Sequence, residues 1–285
     1  MTFLKKYKAT ELVSFAYMAL TAIYILAFFQ KIENPLSLLA ARVLITGIML
    51  LLVFASIKNE NKALKFIRYA FPVAMIVYWY PETYYMNECL FSNLDHRFVK
   101  ADEWLFGCQP SIEFSRLLPF RWFSELMSFA YFSYYLIIIF IAVYFYVTDK
   151  KKADTLLFIV LCSFFIHYII FIILPVAGPQ FYFSESLKSV PDGYLFRHLL
   201  IFIQSLGEKP TGAFPSSHVS ISLICIAIIY KNARKFFLYF LPLIILLILS
   251  TIYIKAHYLI DVIGGIISAP MSYFASKKVE RYFNL

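Results

Sequence analysis

Long apolar segments alternate with short polar connections along the whole chain. Most of these segments approach the roughly 20 residues that an α-helix needs to cross the hydrocarbon core of a bilayer. The pattern therefore predicts an all-α, polytopic membrane helix bundle of about eight transmembrane helices. The predicted spans are residues 11–30, 37–57, 66–85, 122–147, 154–175, 217–230, 236–254 and 257–276.

Lysine and arginine residues collect at alternate connections between the predicted spans. Because such residues accumulate in cytoplasmic loops, we expect both termini on the cytoplasmic side. The connections 31–36, 86–121, 176–216 and 255–256 then face outward. Sixteen of the 26 basic residues follow this pattern: Lys5, Lys6, Lys8, Lys58, Lys62, Lys65, Arg68, Lys150, Lys151, Lys152, Lys231, Arg234, Lys235, Lys277, Lys278 and Arg281.

The outer connection 86–121 mixes large apolar residues with charges. This mixture is typical either of an amphipathic helix that lies in the membrane interface or of an ordinary polar loop. Cys89 and Cys108 share this connection and face an oxidising compartment, so they form either a disulfide or two free thiols. Arg42, inside the second span, is expected to extend toward the interface. The large apolar residues are Trp104, Phe106, Leu117, Leu118 and Phe120.

Composition supports a membrane protein and excludes a nucleic-acid partner. Hydrophobic residues make up 61% of the chain and charged residues 15%, whereas soluble domains have about 45–50% and 25%. The net charge of +9 is divided among short clusters between spans and forms no single basic patch. The four cysteines include no CxxC pair that would indicate a metal site.

The sequence GAFPSSHVSIS, residues 212–222, places polar residues at the start of the sixth span. Pro215 followed by serines is typical of a helix start, where free backbone N–H groups and the helix dipole attract anions such as phosphate. Ser216 either only caps the helix, with His218 at the water interface, or helps to form a phosphate site.

A second polar group lies at the start of the eighth span. His257 and Asp261 are four residues apart and share one face of a helix. A carboxylate that holds one imidazole nitrogen leaves the other free as a nucleophile or base. Both this span and the sixth begin on the outer side, so His218 and His257 are expected at the same depth.

Other interpretations of the histidines are weaker. Two histidines and a carboxylate could bind zinc, but the HxxxD spacing has no third ligand nearby. We therefore predict neither a metal nor another cofactor. His96, His167 and His198 have no comparable neighbours in the sequence and are expected to be structural or surface residues.

These motifs resemble the type 2 phosphatidic acid phosphatase and haloperoxidase superfamily. PSSH, residues 215–218, is similar to the second motif of that superfamily, Pro-Ser-Gly-His. Ser250, His257 and Asp261 match the spacing of its third motif. The resemblance covers roughly residues 100–276.

Departures from the superfamily pattern point to one branch. Thr251 replaces the arginine of the third motif, and LPVAGPQFY, residues 174–182, replaces the first motif. These features, with DEWLFGCQPS (102–111), FRWFSELMSFAYFSYY (120–135) and IYIKAHYLIDVIGG (252–265), resemble inositol phosphorylceramide synthase and its bacterial relatives.

The resemblance implies a role for each matching residue. His257 would attack phosphorus to form a phosphohistidine, Asp261 would orient His257, and His218 would act as acid and then base. The N–H groups of Ser216 and Ser217 would hold phosphate oxygens. Because both motif arginines are absent, we assign Lys255 and Gln180 provisionally to phosphate binding, with Lys209 as another source of charge. Lys255 either binds phosphate or extends to the lipid head groups.

The expected function is an enzyme that acts on a membrane lipid phosphate at the outer face. A lipid phosphate phosphatase is the first interpretation and a lipid head-group phosphotransferase the second. A catalytically inactive lipid-binding protein or a transporter remains the alternative from another class. We expect residues 1–99 to form accessory transmembrane helices, residues 100–276 the catalytic domain and residues 277–285 a cytoplasmic basic tail.

Overall fold

Each of the eight predicted spans contains an α-helix in the computed structural model, which describes residues 6–282. Lys5 and residues 283–285 of the predicted tail lie outside this range. The helices are α1 (Ala9–Ala27), α2 (Pro35–Lys58), α3 (Lys62–Glu82), α6 (Arg121–Thr148), α7 (Lys150–Ile173), α11 (Ser217–Asn232), α12 (Phe237–Tyr253) and α13 (Leu259–Tyr282).

Six of these helices are long and apolar enough to cross a membrane, and the chain is an integral multi-pass membrane protein. The other two are α3 and α11. Helix α3 begins with Lys62, Lys65 and Arg68 within its first two turns. Helix α11 has 16 residues and spans only about 24 Å at 1.5 Å per residue. No β-strand occurs among residues 6–282, which confirms the predicted all-α class.

Helix α7 is the centre of the bundle. Of its most apolar 18-residue window, 78% is buried, a larger share than in any other candidate span of the described chain. Helices α1, α3, α6, α11 and α13 all pack against it. A helix that is apolar on every side is suited to such a central position, because it has no polar face to present to water.

The outer connections contain further helices. The expected amphipathic segment consists of two helices, α4 (Asp95–Phe106) and α5 (Pro110–Leu117), separated by Gly107 in the left-handed region at φ 70°. Helix α4 packs on α13, and α5 packs on α12. The connection 176–216 contains α8 (Pro179–Tyr182), α9 (Glu185–Lys188) and α10 (Leu195–Gly207), of which α10 packs on α6.

Arg42 is buried in the bundle, so the prediction that it extends to the interface is wrong. Its side chain is 4% exposed and forms two hydrogen bonds with the Glu82 carboxylate, at 2.9 and 2.8 Å. It also donates to the Thr21 hydroxyl at 3.0 Å and lies 5.5 Å from the Trp79 ring centre. A charge within an apolar bundle is costly unless it is paired. The pair therefore ties α2 to α3.

The two cysteines of the outer connection are not bonded to each other. Both are free thiols, with Cys89 buried and Cys108 exposed. Of the two alternatives that the sequence leaves open, the structure has the unpaired thiols.

We expect Arg42→Ala to lower the free energy of unfolding by about 3–5 kcal/mol, because it leaves the buried Glu82 carboxylate without its partner. Thermal unfolding of the purified protein in detergent measures this loss. Replacing both partners, Arg42→Met with Glu82→Leu, should restore most of the stability. Lys65→Ala, which breaks the exposed pair with Glu60 at 2.5 Å, is the control and should change little. An equal effect of the two single variants would contradict the prediction.

Candidate active site

His257 lies in the turn between α12 and α13, and its side chain is almost fully buried. Its Nδ1 is 2.8 Å from the backbone carbonyl oxygen of Ala213. Because a carbonyl oxygen can only accept, Nδ1 carries the hydrogen in this contact. The lone pair of the neutral ring is therefore on Nε2.

His218 is the second residue of α11 and faces His257. Its Nδ1 is 3.4 Å from Nε2 of His257. The His218 ring also lies against two tyrosine rings of α6, with centroid distances of 4.6 Å to Tyr131 and 4.5 Å to Tyr134. The structure thus brings together two imidazoles that are 39 residues apart in the chain.

Asp261 is fully buried beside His257. Its Oδ2 is 3.6 Å from Nδ1 of His257 and accepts a hydrogen bond of 2.9 Å from the Tyr258 backbone N–H. Oδ1 has no hydrogen-bond partner among the described residues. The shorter contact of the imidazole is the one to Ala213, so a backbone carbonyl fixes the ring and the Asp261 carboxyl group lies beside it.

The start of α11 offers N–H groups for an anion. Ser216 is the N-cap, and its Oγ accepts from the Val219 N–H at 3.3 Å. Its own N–H donates to the Asp261 carbonyl oxygen at 3.0 Å, so the Ser216 amide is already used. Ser217 and His218 are the first two helical residues, and their N–H groups have no partner within the helix. The free donors are therefore shifted by one residue from the Ser216 and Ser217 pair that the family resemblance implies.

Asp95 joins the outer connection 86–121 to the loop before α8. Its carboxylate accepts hydrogen bonds from the N–H groups of Ala177 and Gly178, at 2.7 and 2.8 Å, and from the Tyr258 hydroxyl at 2.9 Å. Gly178 has φ 98°, and a Cβ there would lie 2.8 Å from the Ala256 carbonyl oxygen. A glycine is needed at this position so that the loop can approach the turn that carries His257.

Asp102 plays a similar part at the start of α13. Its two carboxylate oxygens accept from the N–H groups of Leu259 and Ile260, at 3.0 and 2.9 Å. Burial raises the pKa of Asp102. Sequence reasoning did not assign a role to Asp102 or Asp95, although Asp102 opens the DEWLFGCQPS stretch that marks the branch resemblance.

Lys255 points into the protein. Its side chain is 1% exposed, and Nζ donates to the Ser115 hydroxyl at 2.7 Å and to the Ser189 carbonyl oxygen. Burial, together with the charges of Arg116 and Arg197, lowers the pKa of Lys255 to about 8. The alternative in which Lys255 extends to lipid head groups is wrong, because its ammonium group is enclosed.

Gln180 belongs to a cluster of amides and one acid. Its Nε2 donates to Glu208 Oε1 at 2.8 Å, and its Oε1 accepts from Gln204 at 3.4 Å. Its backbone N–H donates to the Lys255 carbonyl oxygen at 3.0 Å. Burial raises the pKa of Glu208, which is a residue that the sequence analysis missed. Lys209 is partly exposed beside this cluster.

The remaining motif residues are structural. Ser250 is buried and donates to the Leu247 carbonyl oxygen at 2.7 Å. Thr251 occupies the position of the missing arginine. Its backbone carbonyl oxygen accepts a hydrogen bond of 3.1 Å from the His257 backbone N–H. Thr251 therefore helps to shape the turn but supplies no charge.

The other histidines lie apart from His218 and His257. His167 is buried and contacts the Ser163 carbonyl oxygen and the Ser268 hydroxyl, at 2.8 and 3.1 Å. His96 and His198 are exposed. Among residues 6–282, no group of three His, Cys, Asp or Glu side chains is arranged to hold a metal ion.

Comparison with known families supports the resemblance at the level of the superfamily. The family model described as PAP2 superfamily matches residues 96–275, which is more than half of the chain. The chain belongs to the PAP2 superfamily. No curated protein and no solved structure matches it.

Membership in the PAP2 superfamily places the chain among membrane phosphatases and phosphotransferases. The matched range contains His218, His257 and Asp261. It also contains Asp102, whereas Asp95 lies one residue before it. The PAP2 region therefore holds both imidazoles and two of these three carboxylates.

We expect Asp102→Ala to destabilise the PAP2 chain by about 0.5–2 kcal/mol, as the loss of a helix N-cap acceptor does. It should also reduce turnover of a lipid phosphate, since His257 lies two residues before the N–H groups that Asp102 binds. The control is Asp149→Ala, which removes the acceptor of the Lys152 N–H at the start of α7. Thermal unfolding and turnover are measured for both variants. Equal losses of turnover in Asp102→Ala and Asp149→Ala would show that Asp102 contributes only to stability.

Proposed function

We propose that the PAP2 chain is an integral membrane phosphoesterase that acts on a phosphorylated lipid through a phosphohistidine at His257. A lipid phosphate phosphatase is the function that the site supports best. The observation that carries the proposal is the 3.4 Å contact between His218 Nδ1 and the unprotonated Nε2 of His257. A nucleophile and a proton donor then lie side by side at the start of a helix that can hold phosphate.

In the first step, the Nε2 lone pair of His257 attacks phosphorus and the bond from phosphorus to the lipid oxygen breaks. His218 gives its proton to that leaving oxygen. The phosphorylated imidazole carries positive charge, because Nδ1 keeps its hydrogen. Asp261, 3.6 Å from Nδ1, stabilises this charge, while the Ala213 carbonyl holds the ring in place.

In the second step, a water molecule attacks the phosphohistidine and the bond from phosphorus to nitrogen breaks. His218, now unprotonated, takes a proton from the water as it attacks. The lone pair returns to Nε2 of His257, and inorganic phosphate leaves. The site returns to its initial protonation state at the end of the cycle.

Phosphate binding rests on the start of α11 and on Lys255. A helix N-terminus offers about half a unit of positive charge, whereas a phosphate monoester carries about −1.5 to −2. The N–H groups of Ser217 and His218 therefore need a cation, and Lys255 is the candidate two residues before His257. Gln180 and Lys209 are secondary candidates, and the amide of Ser216 serves by holding α11 against Asp261.

We place this site at the outer membrane face and both termini in the cytoplasm. The alternate basic connections support this orientation. Residues 1–99 would then be the accessory helices, residues 100–276 the catalytic domain and residues 277–285 a cytoplasmic tail. The lipid bilayer is both the solvent of the protein and the source of its substrate.

A second candidate function is the transfer of the phosphoryl or head group to an alcohol. The cluster of Glu208, Gln204 and Gln180 favours it, because Gln204 and Glu208 line the same cavity as His218. A carboxylate repels phosphate, but an acid with neighbouring amides binds hydroxyl groups well. This cluster is suited to the hydroxyl groups of an acceptor, and the resemblance to inositol phosphorylceramide synthase implies a transfer reaction.

One assay separates hydrolysis from transfer. Purified protein is incubated with phosphatidic acid, with phosphatidylglycerol phosphate, or with phosphatidylinositol plus ceramide, while free phosphate and new lipids are both measured. Release of phosphate supports the phosphatase, and a new phosphorylated lipid supports the transferase. An inactive lipid-binding protein or transporter would give neither product.

We expect His257→Ala to abolish turnover, because the nucleophile is removed. His218→Ala should lose activity with ordinary lipid phosphates but retain phosphorylation of His257 by substrates whose leaving groups need no proton. Rapid quench with radiolabelled substrate detects the phosphoenzyme. His167→Ala, which alters a histidine away from His218 and His257, should retain turnover. Activity in His257→Ala, or equal losses with all leaving groups in His218→Ala, would contradict the mechanism.

Lys255 gives a pH-dependent prediction. Its pKa of about 8 means that its charge is lost as the pH rises through that value, so kcat/KM should fall above pH 8. Lys255→Arg should move this decline to higher pH, since the guanidinium stays protonated. Lys255→Ala should cost about 10- to 100-fold in kcat/KM, or about 1.4–3 kcal/mol, whereas Lys231→Ala should not. An alkaline decline that is unchanged in Lys255→Arg would assign it to another group.

A further inference from the structure

A long cavity leads away from His218 between two helices of the bundle. It has a volume of about 430 Å³ and is lined by α3 on one side and by α6 on the other. Phe164 and Tyr168 of α7 form its floor, and Ser217 and His218 lie at its upper end. We call this cavity the α3–α6 groove. Its upper end is thus continuous with the candidate active site.

The groove extends over a length that suits a lipid chain. Its lining runs from Pro81 to Phe66 on α3 and from Tyr131 to Val143 on α6, which at 1.5 Å per residue is about 22 and about 18 Å. One leaflet of a bilayer has a hydrocarbon thickness of about 15 Å, half of the core. An extended hydrocarbon chain advances about 1.25 Å per C–C bond. The groove therefore accommodates about 14 to 18 carbons.

The chemistry of the lining changes along the groove. Histidine, carboxyl and amide side chains lie only at the upper end, where Gln204 and Glu208 join His218. Farther down, the lining is aliphatic and aromatic. The Tyr80 hydroxyl near the upper end and the Tyr168 hydroxyl on the floor already donate to backbone carbonyl oxygens, each at 3.1 Å. This arrangement matches a molecule with a polar head at the level of His218 and an apolar tail below it.

The groove is open at the side and closed at its lower end. Val77 of α3 is 75% exposed and Ile139 of α6 is 56% exposed, so the gap between the helices faces the surrounding lipid. At the lower end, the Tyr69 hydroxyl donates to the Ala142 carbonyl oxygen at 3.1 Å, and the Phe66 and Tyr146 rings meet edge to face. A chain can enter sideways from the bilayer but cannot extend past this closure.

We propose that the α3–α6 groove holds one hydrocarbon chain of the lipid whose phosphate reacts at His257. The closed end then limits the chain to about 14 to 18 carbons. This proposal rests on the proposed function. It gives the substrate class as a phosphate ester with a long, narrow hydrocarbon tail. Helix α3 belongs to the N-terminal accessory helices. In this proposal it contacts the hydrocarbon chain and so takes part in substrate selection.

Two alanines of α3 allow the length of the groove to be changed in steps. Both Ala74 and Ala70 line it, at about 10 and about 16 Å below Pro81 by helix rise. A phenylalanine at these positions should leave room for about 8 and about 13 carbons. Ala40→Phe, at an exposed alanine of α2 that does not line the groove, is the matched control.

The test compares n-alkyl phosphates of 8, 12 and 16 carbons at one surface concentration in mixed micelles. In Ala74→Phe, the ratio of kcat/KM for 16 carbons to that for 8 carbons should fall by about tenfold or more, because the longer chain no longer fits. Ala70→Phe should lose the 16-carbon substrate but keep the 12-carbon one. Ala40→Phe should keep the wild-type ratios. Equal losses at all lengths, or no change, would overturn the proposal.

A second measurement does not depend on turnover. A 16-carbon alkyl phosphate with a diazirine at its far end is photocrosslinked to the wild-type protein in nanodiscs, and the labelled peptides are identified by mass spectrometry. Labelling of α3 and α6 near Tyr69 and Ala142, competed by unlabelled 16-carbon phosphate, supports the groove. Uniform labelling of the lipid-facing surface overturns it. If no lipid phosphate is turned over but this labelling is found, the proposed reaction fails and the groove stands.

Discussion

Buried carboxylates hold the turn that carries His257, and the geometry of the site depends on them. Asp102 accepts two N–H groups at the start of α13, Asp261 accepts the Tyr258 N–H, and Asp95 accepts the Tyr258 hydroxyl. Each of these donors is buried or partly buried, and a buried donor without an acceptor costs about 1–3 kcal/mol. The turn therefore has few alternative conformations of comparable energy. His257 is positioned by its neighbours before any substrate arrives.

The same network organises the charges that a phosphate would meet. The carboxylates lie at the start of α13 and in the loop before α8, while the donors of Ser217 and His218 lie at the start of α11. The ammonium group of Lys255 is held by the Ser115 hydroxyl and the Ser189 carbonyl oxygen. In the proposed phosphate site, the N-terminus of α11 would act together with this one enclosed ammonium group. Enclosure strengthens the interaction of that ammonium with an anion, because little water screens it.

Hydrophobic segment length was sufficient to predict eight helices, six of which are long and apolar enough to cross a membrane. The spacing of His257 and Asp261 was sufficient to place them together. The start of α11 at Pro215 and Ser216 could also be predicted from the sequence, because helix capping depends on neighbouring residues. Arg42 and Glu82 are 40 residues apart, and Asp102 and Leu259 are 157 apart. No local pattern encodes such partners, so the pairing of Arg42 and the capping by Asp102 were not predicted. Helix α10 was missed because its 13 residues are too few for a span.

The start of α11 and the start of α13 form one unit. The Ser216 N–H binds the Asp261 carbonyl oxygen, and a Cβ on Gly265 would lie 2.7 Å from the Ser216 carbonyl oxygen, so the two backbones touch. Both imidazoles are attached to this unit, whereas α3 lies on the far side of the groove and supplies neither of them. If the proposed reaction and groove are correct, α3 contributes to the choice of lipid without contributing to the chemistry. Over evolution, substitutions in α3 could redirect such a protein to new lipids while the reaction itself is preserved.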